Sequence, residues 1–177
     1  MSTLFVNNLN TASGTTITVP TGKKLIGTDN SSIVAPGMVV QVVNATTGTA
    51  VSLSSVSGAV ESNLAATITP KFSTSKILVL ANQNTQTNGA SYSQICLRRG
   101  TIASNTLLQI MSTPEGYNNS GNHEVNTTPT CYLDSPSTTS AVRYFCSIEL
   151  LNGSSITAQT ATSGTSVSTI TLMEIAQ

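Results

Sequence analysis

The sequence predicts an all-β protein, an antiparallel sandwich, jelly roll or barrel, preceded by an extended β-rich arm. Three observations lead there. Val, Ile and Thr are abundant, and β-branched side chains suit a pleated surface. Several segments alternate apolar and polar residues with period two. Gly, Asn and Pro signals punctuate the spaces between those segments.

Taken in order, Thr15-Thr16-Ile17-Thr18-Val19 reads as a short strand, and Val39-Val40-Gln41-Val42-Val43 as a strand apolar on both faces. Ala59 to Ala66 is the best helical candidate, followed directly by a strand at Thr67-Ile68-Thr69-Pro70. Lys76-Ile77-Leu78-Val79-Leu80-Ala81 is a continuous apolar run, the pattern of a core strand. Ser91 to Arg98, Ala141 to Leu150 and Ser166 to Ile175 all alternate. Turns are expected at Pro36-Gly37, Asn88-Gly89, Pro114-Glu115-Gly116, Ser120-Gly121-Asn122 and Asn152-Gly153. The polar stretch from Pro114 to Pro129 reads as a surface loop. Segments before residue 45 are short and broken by Gly and Pro, which divides the chain into residues 1–45 (an arm or small β-subdomain) and 46–177 (a compact domain).

Charged side chains make up 8% of the 177 residues, seven basic against seven acidic, where an ordinary soluble domain carries roughly 25%. A formal charge of zero gives no footprint for nucleic acid and no attraction to an anionic membrane. No apolar stretch approaches the length of a membrane-spanning helix, and Met1 to Val6 lacks the pattern of a signal peptide. Synthesis in a cytoplasm is therefore expected. Ser and Thr supply about 30% of the chain. Hydroxyls hydrate a surface without charge, and they suit surfaces buried against identical surfaces, where an unpaired charge is costly to desolvate.

No constellation of catalytic residues stands out. Pro20-Thr21-Gly22-Lys23-Lys24 lacks the upstream glycine and following Ser/Thr of a phosphate-binding loop and reads as a lysine-tipped hairpin. His123, the single histidine, has no Gly-x-Ser-x-Gly elbow to serve and reads as a solvated loop residue. The seven carboxylates are scattered and Trp is absent, against a glycosidase. Cys96, Cys131 and Cys146 have no metal-ligand spacing and read as buried free thiols. Arg98-Arg99-Gly100 reads as a charged pair at a strand end, or as inter-subunit partners of Glu149 or Asp134. No catalytic residue, metal ligand or cofactor is expected.

Ser13-Gly14-Thr15-Thr16-Ile17-Thr18-Val19-Pro20-Thr21-Gly22-Lys23-Lys24 and Ser32 to Val43 resemble the N-terminal part of tail-fibre or virion-fibre proteins of tailed phages of aquatic bacteria. Ile68-Thr69-Pro70, Ser75 to Val79, Leu97-Arg98-Arg99-Gly100, Tyr132-Leu133-Asp134-Ser135-Pro136 and Ile170 to Ile175 resemble the same proteins in the same order. The resemblance implies a compact jelly roll of the tumour-necrosis-factor and complement-C1q type, assembled as a homotrimer in a virion. Such a chain would act as a short tail, baseplate or head fibre. A capsid decoration protein and a carbohydrate-binding, lectin-like module are the alternatives. Within that frame, Leu4, Phe5, Val6 and Ile17 are expected to anchor the arm on other virion proteins. Ile77, Val79, Tyr144, Ile148, Leu150 and Leu172 are expected in the core or at the trimer interface. Tyr117, Asn119, Asn122 and His123 are expected in an exposed loop facing a host glycan or protein.

Overall fold

The computed structural model describes residues 14, 16, 18–27, 33–117, 123–159 and 167–177. The chain divides into two units, Met1–Ile33 and Val34–Gln177. In the first unit, Pro20 to Lys23 form a turn closed by Lys23 N donating to Pro20 O at 3.0 Å. No strand flanks that turn among the described residues, and Thr15 and Ile17 of the expected strand lie outside them. Leu4, Phe5, Val6 and Ile17 lie outside the described residues.

The second unit is built from ten strands: β1 (Val39–Thr47), β2 (Val51–Leu53), β3 (Val60–Ile68), β4 (Lys76–Asn88), β5 (Ala90–Thr101), β6 (Ser104–Tyr117), β7 (His123–Asp134), β8 (Val142–Asn152), β9 (Ser155–Ala158) and β10 (Ser168–Ile175). With the short β2 and β9 set aside, the strands pair as a nested antiparallel set: β1 with β10, β3 with β8, β4 with β7, and β5 with β6. That nesting is a jelly roll. Pairing of β10 with β4 and of β5 with β8 then stitches the hairpins into two sheets. The first sheet holds β1, β10, β4, β9, β2 and β7, and the second runs β3-β8-β5-β6.

Both sheets turn one face inward, so most strands alternate, while β8 is buried on both faces from Tyr144 to Ile148. One apolar cluster joins Leu64, Ile68, Ile77, Val79, Leu97, Tyr144, Ile170 and Leu172. A second joins Leu53, Ile95, Ile148, Leu150, Ile156 and Ala158. Ile77, Val79, Tyr144, Ile148, Leu150 and Leu172 are thus all interior and fully buried. Along β4 the inward row continues from Ile77, Val79 and Ala81 into Gln83, Thr85 and Thr87, so part of the interior is polar. There, Ser168 Oγ accepts from Gln83 Nε2 at 3.2 Å, the Asn84 backbone N at 2.8 Å and Gln159 Nε2 at 2.5 Å. Ser62 Oγ donates to Gln83 Oε1 at 2.6 Å. These bonds offset the desolvation of the buried amides and hydroxyls.

Three expectations are corrected here. Ala59 to Ala66 is not helical; from Val60 on it belongs to β3, whose Ser62, Leu64, Ala66 and Ile68 point inward. A register shift between Glu61 and Ala65, with Asn63 at φ 62, bulges the strand and disturbs its alternation in sequence. Pro114 to Pro129 is not a loop throughout. Tyr117 closes β6 and His123 opens β7, leaving residues 118–122, with Asn119 and Asn122, outside the described set. Pro114 and Pro129 are accommodated because β6 and β7 each pair on one side only, and an edge strand tolerates a missing N–H. Finally, the expected boundary near residue 45 falls inside β1, whose Val43 and Ala45 pack on the core.

Turn chemistry behaves as the sequence indicates at two sites. Gly89, at φ 65, joins β4 to β5, and Ser91 Oγ donates to Asn88 O at 2.7 Å across it. Gly153, at φ 104, joins β8 to β9, and a Cβ there would strike the backbone of Ala90 and Ser91.

Candidate subunit interface

The two outer faces of the sandwich differ in chemistry. On the first sheet, register places residues in rows across β1, β10, β4 and β7. One row is Val42, Met173, Leu78 and Leu133; the next is Asn44, Thr171, Leu80 and Cys131; a third is Thr46, Thr169, Asn82 and Pro129. Farther along β4 and β7 come Asn84 beside Thr127 and Gln86 beside Val125. Val42 is 55% exposed, Leu133 50% and Val125 61%. Lys76, beside Ile175 at one end, is the one charged side chain among the described residues of this face.

The amides and hydroxyls of this face are tied laterally. Asn44 Nδ2 donates to Thr171 Oγ1 at 2.8 Å, and Thr127 Oγ1 donates to Asn84 Oδ1 at 2.9 Å. These cross-strand pairs stiffen the sheet. The result is a smooth, neutral surface with Leu78, Leu80 and Met173 at its middle. Charged residues are depleted at the centre of protein interfaces, where Met and apolar side chains concentrate.

The outer face of the second sheet carries the charges instead. Arg143 ion-pairs with Glu61 across β8 and β3, and its guanidinium lies 5.0 Å from the centroid of the Phe145 ring. Arg98 donates to Ser147 Oγ and to Asn105 Oδ1, both at 2.8 Å. Glu149 stands opposite Gln94. Arg99 pairs with Asp134 of its own chain rather than across subunits, while Arg98 takes neutral partners.

The cysteines are free thiols. Cys96 and Cys146 are buried, whereas Cys131 is exposed on the neutral face, contrary to expectation, because β7 turns that position outward. Burial pushes the Cys146 thiol up to about 12 and raises that of Cys96, so both are poor nucleophiles. Asp134 is committed to Arg99 and Tyr144, Glu61 to Arg143, and Glu174 to backbone amides. Among the described residues no group of three or more His, Cys, Asp and Glu side chains could hold a metal ion. The backbones of Tyr117 and His123 sit at the facing ends of β6 and β7; their side chains, with Asn119 and Asn122, lie outside the described set.

The neutral face escaped the sequence reading because its strands were judged by their apolar positions. The signal was present in the outward residues of β4 (Asn82, Asn84, Gln86 and Asn88) and of β7 (Thr127 and Pro129), none of them charged.

No family model matches the chain, and no curated protein matches it. Among solved structures, the chain is similar to infectious bursal disease virus, Gt strain, at 12% identity and a TM-score of 0.47, with 87% of this chain and 42% of that one covered. A VP2 subviral particle of infectious bursal disease virus gives 11% identity, a TM-score of 0.46 and the same two coverages. The chain therefore spans less than half the length of either.

Proposed function

We propose that this chain is a non-enzymatic structural protein of a virus particle, a homotrimeric short fibre or fibre cap of a tailed phage. The neutral outer face of β1, β10, β4 and β7 supports this reading above all. A soluble monomer keeps such a sheet face wet with charges, whereas a closed symmetric assembly buries it and gains from having no ions to desolvate. In this reading three copies pack this face about a threefold axis and leave the charged face outermost. The N-terminal residues, with Leu4, Phe5, Val6 and Ile17, dock to other virion proteins. Tyr117 at the end of β6, His123 at the start of β7, and Asn119 and Asn122 between them meet the host surface.

Light scattering of the purified chain tests the assembly. A mass near three times 18.3 kDa is expected; a stable monomer overturns the reading. Sedimentation with phage particles, lost when residues 1–33 are removed, is the expected sign of docking.

A further inference from the structure

The chain contains three arginines, Arg98, Arg99 and Arg143, and all three lie on β5 and β8 of the charged sheet. An open cleft of about 390 Å³ lies at the end of that sheet, between the β5–β6 turn and the β7–β8 connection, and Arg98 does not line it. Arg99 and Arg143 line it, with Ser104 and Thr106 on one wall and Thr138 on the other. That volume falls within the range of about 300 to 1,000 Å³ common for small-molecule sites.

The two lining guanidiniums are fixed from behind. Arg99 Nη1 donates to Asp134 Oδ2 at 2.6 Å, and that oxygen also accepts from Tyr144. Arg143 donates to Glu61 and, at 3.4 Å, to the Gly100 carbonyl, with its plane near Phe145. A guanidinium has five N–H donors. These contacts use one on Arg99 and two on Arg143, and both side chains stay about 30% exposed. Asp134 and Glu61 each offset one of the two lining guanidiniums, so a ligand would meet their remaining N–H donors rather than a surplus of charge. Fixed, partly exposed guanidiniums suit a planar carboxylate, which they grip through paired N–H donors. The Ser104, Thr106 and Thr138 hydroxyls suit a ligand that carries hydroxyls of its own.

We propose that this cleft binds an acidic sugar, a hexuronate unit of a surface polysaccharide. The carboxylate sits on Arg99 and Arg143, and the ring hydroxyls sit on Ser104 and Thr106. The site belongs to one chain and does not depend on the trimer.

Calorimetric titration with a galacturonic acid trisaccharide, a neutral galactose trisaccharide and acetate tests it. The acidic trisaccharide is expected to bind at least about tenfold more tightly than either control, a gap of about 1.4 kcal/mol. Thr106→Trp, at an exposed position of β6, fills the cleft and should weaken that binding at least tenfold with an unchanged melting curve. Thr138→Trp fills it from the opposite wall and should do the same if the first variant folds poorly. Equal binding of acidic and neutral sugars, or no binding of either, overturns the proposal. So does binding that survives both variants. Acetate as tight as the trisaccharide would reduce the site to a carboxylate trap and overturn the sugar assignment. None of these results bears on whether the chain is trimeric.

Discussion

Tyr144 Oη donates to Asp134 Oδ2 at 2.7 Å, and Arg99 Nη1 meets the same oxygen at 2.6 Å. Asp134 ends β7 in the first sheet, while Tyr144 and Arg99 lie on β8 and β5 in the second. One carboxylate thus joins the two layers at one end of the sandwich. Tyr144→Phe removes one neutral donor and should cost about 1 kcal/mol. Asp134→Ala strips both partners and should cost about 2 to 3 kcal/mol, because a charged hydrogen bond is lost and a buried hydroxyl is orphaned. Urea denaturation of the two variants should rank them in that order.

Burial, followed by the bond to Asp134, raises the Tyr144 pKa above its ordinary value of 10.0. The folded state therefore holds this proton more tightly than the unfolded chain does. The resulting stability is complete below pH about 10 and falls as pH rises above it. Tyr144→Phe should show a shallower alkaline decline than the parent in melting temperature measured from pH 9 to 11.

Glu174 behaves in the opposite sense. Burial opposes its charge, but Gln41 Nε2 at 2.6 Å and the backbone amides of Phe72 and Lys71, at 3.2 and 2.7 Å, outweigh it, and its pKa lies below 4.5. The stability it contributes is present above pH about 4.5 and is lost as pH falls through the folded pKa. Glu174→Gln should be less stable at pH 7 and should lose less on acidification. Urea midpoints at pH 7 and pH 3 check both signs.

Ser168→Ala removes the acceptor shared by Gln83, Gln159 and the Asn84 amide. Ser168 is fully buried, so the variant strands donors without solvent to replace the serine. A loss of about 2 to 3 kcal/mol is expected from stranding them. Hydrogen exchange should rise first at Asn84.

Leu80→Glu places a carboxylate in the middle of the neutral face, beside Thr171 and Cys131. Leu80 is 36% exposed in the single chain, so the isolated fold should change by less than about 1 kcal/mol. Buried against a second copy, the same charge costs several kcal/mol. Light scattering should therefore report a folded monomer, with circular dichroism unchanged.

Much of the fold was legible because its strands obey simple patterns. Lys76 to Ala81 and Ser91 to Arg98 lie within β4 and β5, while the readings Ala141 to Leu150 and Ser166 to Ile175 cover β8 and β10, which begin at Val142 and Ser168. The Asn88-Gly89 and Asn152-Gly153 turns fall where the sequence puts them. What escaped notice has a common cause. The far half of β4 turns Gln83, Thr85 and Thr87 inward, so hydrophobic alternation vanishes although the strand continues. β7 and the end of β6 carry Pro, Asn and Thr, a composition that edge strands share with loops. In β3 the bulge at Asn63 disturbs the period that marks a strand. The cleft could not be read from sequence at all, because Arg99 and Arg143 are separated by β6 and β7, which belong to different sheets, and are brought near each other only by the β5–β8 pairing.

The near absence of charge from the outer face of the first sheet also determines how the protein answers to its medium. Ion pairs at a surface weaken as salt rises, because mobile ions screen them over about 8 to 10 Å at ordinary ionic strengths. Rows of Asn, Thr, Leu and Met offer nothing to screen, and apolar contact tightens when water is made more cohesive by excluded salts. An association made through this face keeps its strength from dilute water to brine, so a particle built with it could pass between the two without loosening.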